Sequence, residues 1–244
     1  MNIGLILAAG RSERMKSDYP KQFLTIFNKP VIIYTLEIFQ HHPEIDAILV
    51  VCLDGWQKKL KKMADDYEIT KLKWIVPGGE SGQDSIRMGV EELEKHFKPD
   101  DIVVLHDANR PLVTNEIITD CISVCRKNGN GISSTPVVAA LGVSDDKIKA
   151  EETLQYTERP IMVMVKPEAY RLGKMSWAYR EATRRGVTDT ITYSSLMIKL
   201  GEPVYFAKGS EKNIKITRPE DVDIFKALLI ALGEVKIDEI GEWG

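Results

Sequence analysis

Short apolar segments alternate with longer amphipathic ones along most of the chain, and this alternation most constrains the fold. Residues 2–9 form an apolar run that ends at Gly10, as expected of a buried parallel strand. Further strands are predicted at 46–53, 72–76 and 101–105, and helices at 30–40, 55–67, 84–97 and 114–127. Strands that alternate with helices indicate βαβ units, and therefore an α/β fold with a mainly parallel sheet flanked by helices.

The regular alternation stops near residue 136. The segment 136–160 carries charged residues between two prolines, and a structureless loop of this length is uncommon in a compact domain. We therefore predict a β-hairpin arm that protrudes from the sheet. Thr217 and Glu220 predict the N-cap and capping-box partner of a last helix. We expect one domain over residues 1–233, including this arm, and a tail at 234–244.

Composition argues against several classes of protein. The net charge is −3, from 33 basic and 36 acidic residues, which argues against nucleic-acid binding through bulk positive charge. No apolar run reaches the length of a transmembrane helix. The N-terminal apolar run has no basic residue before it and is interpreted as a strand, not a signal peptide. Three cysteines suit a reduced compartment, so we expect a cytoplasmic protein that binds neither nucleic acid nor membrane.

The loop after the first predicted strand has the composition of an anion site. Ligands of open α/β sheets bind at the carboxyl ends of the strands, and small residues at 8–10 let a ligand approach the backbone. Residues 11–21 hold four basic and two acidic side chains, which suggests a polyanion such as a triphosphate. A solvated loop with scattered charge is the alternative. The sequence contains neither a dinucleotide-binding G-x-G-x-x-G after this strand nor a P-loop.

Three later segments carry weaker signals. The loop at 77–85 has three glycines before a helix that Asp84 or Ser85 could cap, so it can wrap a phosphate or base, or simply form a tight turn. Asp107 ends a predicted strand, where it could hold Mg²⁺ beside phosphates. A metal phosphohydrolase would need more ligands than four histidines supply, so we interpret His106 as a hydrogen-bonded, partly buried side chain.

Lys215 stands between two isoleucines on a short predicted strand. Side chains alternate between the faces of a strand, so Lys215 should face away from its neighbours. If that face lines the ligand cleft, the lysine can meet a phosphate; otherwise it is an ordinary exposed lysine of an edge strand. Cys121 and Cys125 are four residues apart with no second ligand pair nearby, which favours core positions over a metal site.

Taken in order, these segments resemble one enzyme family. LAAGRSERM, PKQ, GG…DS, HDANRP and NIKITRPED are similar to motifs of the methylerythritol phosphate cytidylyltransferases, which share their shape with ribitol-phosphate cytidylyltransferases. The resemblance runs from residue 2 to about 232 and is thin between 139 and 200. It implies a Rossmann-like nucleotidyltransferase fold, a homodimer formed through the 136–160 arm, and transfer of CMP from CTP to an alcohol phosphate, which releases pyrophosphate.

The resemblance also implies roles for individual residues. Arg14 and Lys21 match two positively charged catalytic residues that stabilise charge on the triphosphate. Lys215 matches a phosphate-binding lysine, which the resemblance also implies to be catalytic. Asp107 matches a Mg²⁺ position. Arg159 matches an arm arginine that reaches the substrate phosphate bound by the other subunit. The positions matched to nucleotide binding are Ala8, Ala9, Gly10, Arg11, Ser12, Gly78, Gly79, Ser85 and Ala108.

The sequence departs from the family pattern in the half that binds the acceptor. Lys166-Pro167-Glu168 replaces a usual Thr-Pro-Gln, Ala139-Ala140 replaces Asp-Thr, and Lys212 replaces an Asp. Polar pockets discriminate strongly through unpaired groups, so we expect a small polyol phosphate or a phosphonate as the acceptor. The alternatives are the methylerythritol phosphate enzyme itself and a non-catalytic nucleotide-binding protein. The intact pair Arg14 and Lys21 argues against the last.

Overall fold

The computed structural model describes residues 1–10, 19–145, 147–154, 160–187, 190 and 192–235. The strands in this part of the chain are β1 (Asn2–Ala8), β2 (Thr25–Ile26), β3 (Lys29–Pro30), β4 (Ala47–Cys52), β5 (Leu72–Pro77), β6 (Ile102–Asp107), β7 (Asn130–Pro136), β8 (Leu141–Val143), β9 (Glu152–Leu154), β10 (Met162–Arg171) and β11 (Phe206–Lys208). The helices are α1 (Val31–His41), α2 (Gln57–Asp66), α3 (Gly82–Glu94), α4 (Asn115–Asn128), α5 (Leu172–Arg185), α6 (Tyr193–Lys199) and α7 (Pro219–Ala231), with a 3₁₀ turn at Lys21–Phe23.

Seven of these strands form one sheet in the order β11-β7-β10-β6-β1-β4-β5. β1 pairs in parallel with β4 and β6, and β4 pairs in parallel with β5. β10 runs antiparallel to both of its neighbours. The predicted α/β fold with a mainly parallel sheet is confirmed. The strand order reverses at β1, so the carboxyl ends of β1 and β6 flank the switch point where sheets of this kind bind ligands.

Helices cover both faces of the sheet, and each face has its own apolar core. Side chains alternate along β1, so that Ile3 and Leu5 pack on one face and Ile6 on the other. Helices α3, α5 and α6 cover the first face, and α1, α2 and α4 cover the second. Cys121 and Cys125 are fully buried in the second core. They occupy core positions, as their spacing predicted.

The segment 136–160 forms the predicted hairpin in its described part. β8 pairs antiparallel with β9, with Leu141 opposite Leu154 and Val143 opposite Glu152. Val143, Leu154 and Ile148 are exposed apolar side chains of this arm. Residues 155–159, which include the predicted acceptor-binding Arg159, lie outside the described residues.

The start of the last helix differs from the prediction by one residue. The N-cap of α7 is Arg218, not Thr217, and the residue at N3 is Asp221, not Glu220. Pro219 occupies the first helical position because its missing N–H needs no partner there. The Asp221 carboxylate accepts hydrogen bonds from the backbone N–H groups of Thr217 and Arg218, at 2.7 and 2.8 Å, and from the Thr217 hydroxyl.

The two remaining expectations concern the membrane and the tail. None of the described helices combines the length and apolarity needed to cross a bilayer. Helix α7 ends at Ala231, and Gly233 adopts a positive φ of 74° shortly after it, as glycines that follow helices commonly do. Most of the predicted tail, residues 236–244, lies outside the described residues.

Candidate active site

A cleft of about 390 Å³ lies at the carboxyl ends of β1 and β6. It brings together segments that are far apart in the sequence: the end of β1, the 3₁₀ turn, the start of α3, the end of β6 and the segment before α7. Seven predicted site residues line it: Ala9, Gly10, Lys21, Gly79, Ser85, Asp107 and Lys215. The four sequence signals therefore converge on one location at the switch point of the sheet.

Other predicted residues are not brought to the wall of this cleft. The side chains of Ala8 and Ala108 are buried in the core. The Ala108 N–H donates to Leu7 O and its carbonyl accepts from the Thr35 hydroxyl, both at 2.9 Å, so both of its backbone polar groups are used internally. Gly78 also lies off the described lining. The predicted residues Arg11, Ser12 and Arg14 lie outside the described residues, as does Arg159.

The glycine loop packs tightly against both neighbouring segments. A Cβ atom on Gly78 would lie 2.3 Å from the Cβ of Ala9, and one on Gly79 would lie 2.4 Å from the Cβ of Asp84. No real Cβ atom approaches this closely, so both positions require glycine for packing within the protein. This packing holds the loop beside the end of β1.

Helix α3 begins at the cleft. Its N-cap is Ser81, and not Asp84 or Ser85 as predicted. The Ser81 hydroxyl accepts from the Asp84 N–H at 3.0 Å, and the Ser85 hydroxyl accepts from the Gly79 N–H at 3.1 Å. Ser81 and Gly82 line the cleft, so the positive end of the helix dipole faces the space where an anion would lie.

Asp107 is an ionised carboxylate held by three cations. Its Oδ2 atom lies 2.9 Å from Lys215 Nζ and 3.2 Å from Arg110 Nε. Burial alone would raise its pKa, but the charges of Lys215, Lys166 and Arg110 hold the pKa of this carboxyl well below its usual range. Asp107 is therefore negatively charged at pH 7.

Lys215 lies on a segment without regular secondary structure, so the predicted short strand is wrong. Asn109 holds this segment, because its carbonyl accepts from the Ile216 N–H at 2.9 Å and its side-chain amide donates to Ile216 O. Ile214 and Ile216 pack in the apolar cluster beneath α7, whereas Lys215 faces the cleft. The predicted separation of the lysine from its apolar neighbours is thus present without strand pairing.

His106 is a buried structural side chain. It is fully buried beneath the cleft, and its Nε2 atom lies 3.1 Å from Arg110 O. Burial lowers its pKa to about 4, so the imidazole is neutral at pH 7. Within the described ranges, no group of three or more His, Cys, Asp and Glu side chains could hold a metal. The described residues thus supply no protein-only metal cluster of the phosphohydrolase type.

The residues present fit a Mg²⁺ ion that is shared with a substrate. Mg²⁺ commonly binds through one or two carboxylates together with substrate phosphates and water. Asp107 supplies one ionised carboxylate on the cleft wall. A Mg²⁺ ion bound to Asp107 would take its other ligands from the phosphate oxygens of the substrate and from water.

Comparison with known proteins identifies the family. The model described as "2-C-methyl-D-erythritol 4-phosphate cytidylyltransferase" matches residues 3–231. The chain belongs to this family. A ribitol-5-phosphate cytidylyltransferase from Lacticaseibacillus paracasei is 38% identical over 232 residues, which cover 94% of this chain and 98% of that protein. A 2-C-methyl-D-erythritol 4-phosphate cytidylyltransferase from Alkaliphilus metalliredigens is 31% identical over 243 residues, which cover 98% of this chain and 96% of that protein.

Solved structures share the fold. The crystal structure of 4-diphosphocytidyl-2C-methyl-D-erythritol synthase from Anaerococcus prevotii has a TM-score of 0.78 with this chain at 23% identity, over 93% of this chain and 95% of that one. The overall fold of this chain is thus that of the synthase.

Beside the cleft, this member of the cytidylyltransferase family has a buried ion pair. Lys166 Nζ lies 3.0 Å from Glu168 Oε2, and both side chains are at most one-tenth exposed. Tyr170 Oη donates to Glu168 Oε2 at 2.9 Å, and Ser194 Oγ donates to Glu168 Oε1 at 3.2 Å. The pair occupies the Lys-Pro-Glu positions at which the sequence departs from the family pattern.

Sequence reasoning missed four polar residues of the cleft wall: Gln22, Glu80, Ser81 and Asn109. Glu80 and Ser81 belong to the glycine loop, of which only the glycines and Ser85 were predicted. Gln22 directly follows Lys21, and Asn109 lies between Asp107 and Arg110, so both stand within motifs that carried the resemblance. Their contacts are with backbone carbonyls distant in sequence, and such contacts leave no periodic pattern that a sequence can reveal.

Proposed function

We propose that the protein transfers CMP from CTP to the phosphate of ribitol 5-phosphate and releases pyrophosphate. The observation that carries the proposal is the convergence of Lys21, Lys215 and the N-terminus of α3 with the ionised Asp107 in one cleft. Two lysines and a helix N-terminus suit a triphosphate. Family membership supports CTP as its source.

The chemistry needs positioning and charge, and no covalent intermediate with the protein. An oxygen of the acceptor phosphate attacks the α-phosphorus of CTP, a new P–O bond forms, and the bond to the β-phosphate breaks in line with it. Lys21 and Lys215 stabilise the negative charge that develops on the α-phosphate and the leaving pyrophosphate. Amides at the start of α3 hold the nucleotide in register. When bound, Mg²⁺ supplies further positive charge to the phosphate oxygens.

The choice of ribitol 5-phosphate rests on two supports. The relative named for ribitol 5-phosphate is 38% identical, against 31% for the one named for methylerythritol phosphate. The charged pair Lys166 and Glu168 also replaces two neutral residues of the family pattern beside the cleft. A change of polar groups alters which acceptor hydroxyls can be paired. Methylerythritol phosphate is the second candidate, because relatives with that name align over nearly the whole chain.

The same proposal covers the cofactor, the assembly and the compartment. We infer that Asp107 serves Mg²⁺ and that the chain forms a single domain over residues 1–233, which dimerises through the 136–160 arm. The exposed apolar side chains of the hairpin support an interface there. Consumption of CTP supports a cytoplasmic location. Light scattering of the purified protein tests the dimer, and removal of divalent cations with a chelator tests the metal.

Product identification tests the proposal. Purified protein, CTP and Mg²⁺ are incubated with ribitol 5-phosphate, methylerythritol phosphate or glycerol 3-phosphate, and ³¹P NMR follows the pyrophosphate and the diphosphate diester. We expect CDP-ribitol and stoichiometric pyrophosphate with the first acceptor. Release of pyrophosphate with methylerythritol phosphate and with neither of the other two compounds would show that methylerythritol phosphate is the acceptor instead of ribitol 5-phosphate. No pyrophosphate with any acceptor, despite CTP binding, would overturn the enzymatic function.

A further inference from the structure

The side chain of Gln22 connects two parts of the cleft wall. Its Nε2 atom donates to Ala8 O at 2.7 Å and to Gly10 O at 3.2 Å. The side chain is almost completely buried, with 2% exposure. A glutamine amide has two N–H donors, so these two carbonyls use the full donor capacity of the side chain. Neither the sequence motifs nor the proposed chemistry assigns Gln22 a role.

These bonds fix the backbone at the end of β1. Ala8 O also accepts from the Leu53 N–H of the neighbouring segment at 3.1 Å. Because each peptide unit is planar, a carbonyl held in place fixes the orientation of the whole unit. The carbonyls of Ala8 and Gly10, the two residues that flank Ala9, are thus held by one side chain. The wall formed by Ala9 and Gly10 therefore has a defined backbone orientation.

The 3₁₀ turn that carries Lys21 is anchored on its other side by aromatic packing. Phe23 is fully buried and stacks on Trp56, with ring centroids 4.6 Å apart and planes 17° apart. Tyr19 packs edge-on against Trp56 at 5.0 Å, and Lys59 Nζ donates to its hydroxyl at 2.7 Å. Phe23 thus fixes the turn against α2, whereas Gln22 fixes it against β1.

We propose that Gln22 is a positioning residue that holds Lys21 and the 8–10 segment in one register. The lysine charge and the backbone of the cleft wall then act on the same triphosphate. This inference rests on the proposed function, because it takes CTP as the ligand. Correct mutual placement of binding groups is worth large factors in affinity and rate, and a side chain without two donors cannot supply it here.

Gln22→Met tests the role, since methionine has a similar length and no donors. Gln40→Met is the matched control: its amide also makes two hydrogen bonds, with Thr70 Oγ1 and the Lys71 N–H, on a surface away from the cleft. We expect Gln22→Met to weaken CTP binding at least tenfold by isothermal titration calorimetry. It should raise the KM for CTP and leave the KM for the acceptor within twofold. Gln40→Met should change neither.

A double-mutant cycle separates positioning from general damage. If Gln22 acts through Lys21, the Lys21→Ala/Gln22→Met protein should bind CTP no more than threefold more weakly than Lys21→Ala alone. Multiplicative losses, or wild-type CTP binding by Gln22→Met, would overturn the inference. Should Gln22→Met fail to fold, Gln22→Asn takes its place with the same expected loss, because its amide is too short to reach both carbonyls. CTP binding without turnover on any acceptor would contradict the proposed function and still test Gln22.

Discussion

Lys215 Nζ lies 2.9 Å from Asp107 Oδ2, so the predicted phosphate-binding lysine and the predicted metal-binding carboxylate form an ion pair with each other. Asp107 is mostly buried, whereas Lys215 is 38% exposed. Without ligands, the positive charge of Lys215 and the negative charge of Asp107 neutralise each other. A cation at Asp107 and an anion at Lys215 would compete with this contact, so the binding of one ligand prepares the site for the other.

Removing the lysine should therefore favour a metal at Asp107. In Lys215→Ala, we expect tighter binding of Mn²⁺ in the absence of CTP, measured by electron paramagnetic resonance, because the carboxylate has lost its nearest cation. Turnover should fall by roughly 10²-fold to 10³-fold, as for loss of a group that stabilises developing charge. Lys58→Ala, at an exposed position of α2, is the control. Unchanged Mn²⁺ affinity would show that the pair does not limit metal binding.

Lys21→Ala should separate catalysis from folding. Lys21 lines the cleft from a short turn that Gln22 and Phe23 anchor, so the fold should survive its loss. We expect turnover to fall by roughly 10²-fold to 10³-fold with an unchanged circular dichroism spectrum. Lys61→Ala, on the exposed side of α2, should retain full activity. Wild-type turnover by Lys21→Ala would refute its assigned role.

Removal of one partner of the buried ion pair Lys166 and Glu168 should lower the free energy of unfolding more than removal of both charges. Lys166→Met leaves the Glu168 carboxylate buried without its cation, which should cost about 3–5 kcal/mol of unfolding free energy in urea. The double variant Lys166→Met/Glu168→Gln removes both charges, and we expect it to recover much of this loss. Equal destabilisation of the single and double variants would mean that the lysine contributes by packing rather than by charge.

Stability should decrease as the pH falls below the ordinary pKa of histidine. Burial lowers the pKa of His42 from its ordinary value of 6.5, and its Nδ1 atom accepts from the Glu44 N–H at 3.1 Å. A proton on Nδ1 would remove that bond. The unfolded chain takes up the proton first, so the contribution is complete above about pH 7 and is lost as the pH falls toward the folded pKa.

Urea unfolding at pH 7.5 and pH 5 measures this dependence. The wild type should lose stability on acidification, with a contribution of the same sign from His106, and His42→Gln should lose less. His41→Gln, on the exposed end of α1, should retain the wild-type dependence. An identical loss in His42→Gln would assign the effect to other groups.

Sequence periodicity predicted the parts of the fold that repeat. The apolar run ending at Gly10 became β1, and the alternation of strands and helices placed the ends of β1 and β6 at one edge. This is why Ala9 and Asp107, each nominated from a different loop, line the same cleft. Burial of apolar faces determines the position of these strands and helices, and the spacing of apolar residues in the sequence predicts which faces are buried.

Contacts made by single side chains were harder to predict. The isoleucines on both sides of Lys215 predict a strand, but Asn109 provides the hydrogen bonds that hold this segment. The residue type of Thr217 predicts an N-cap, but Arg218 is the N-cap and Pro219 is the first residue of α7. The role of Gln22 depends on the backbone carbonyls of Ala8 and Gly10. Every residue has such a carbonyl, so the residue types do not indicate this contact. Such contacts depend on tertiary position, which local patterns do not encode.

The central claim is that CMP is transferred from CTP to ribitol 5-phosphate in this cleft. The most direct measurement is the ratio of kcat/KM for ribitol 5-phosphate to kcat/KM for methylerythritol phosphate, from pyrophosphate release at saturating CTP and Mg²⁺. We predict a ratio of at least roughly 100, since a pocket with rebuilt polar contacts rejects an acceptor that leaves them unpaired. A ratio below 1 would contradict the account.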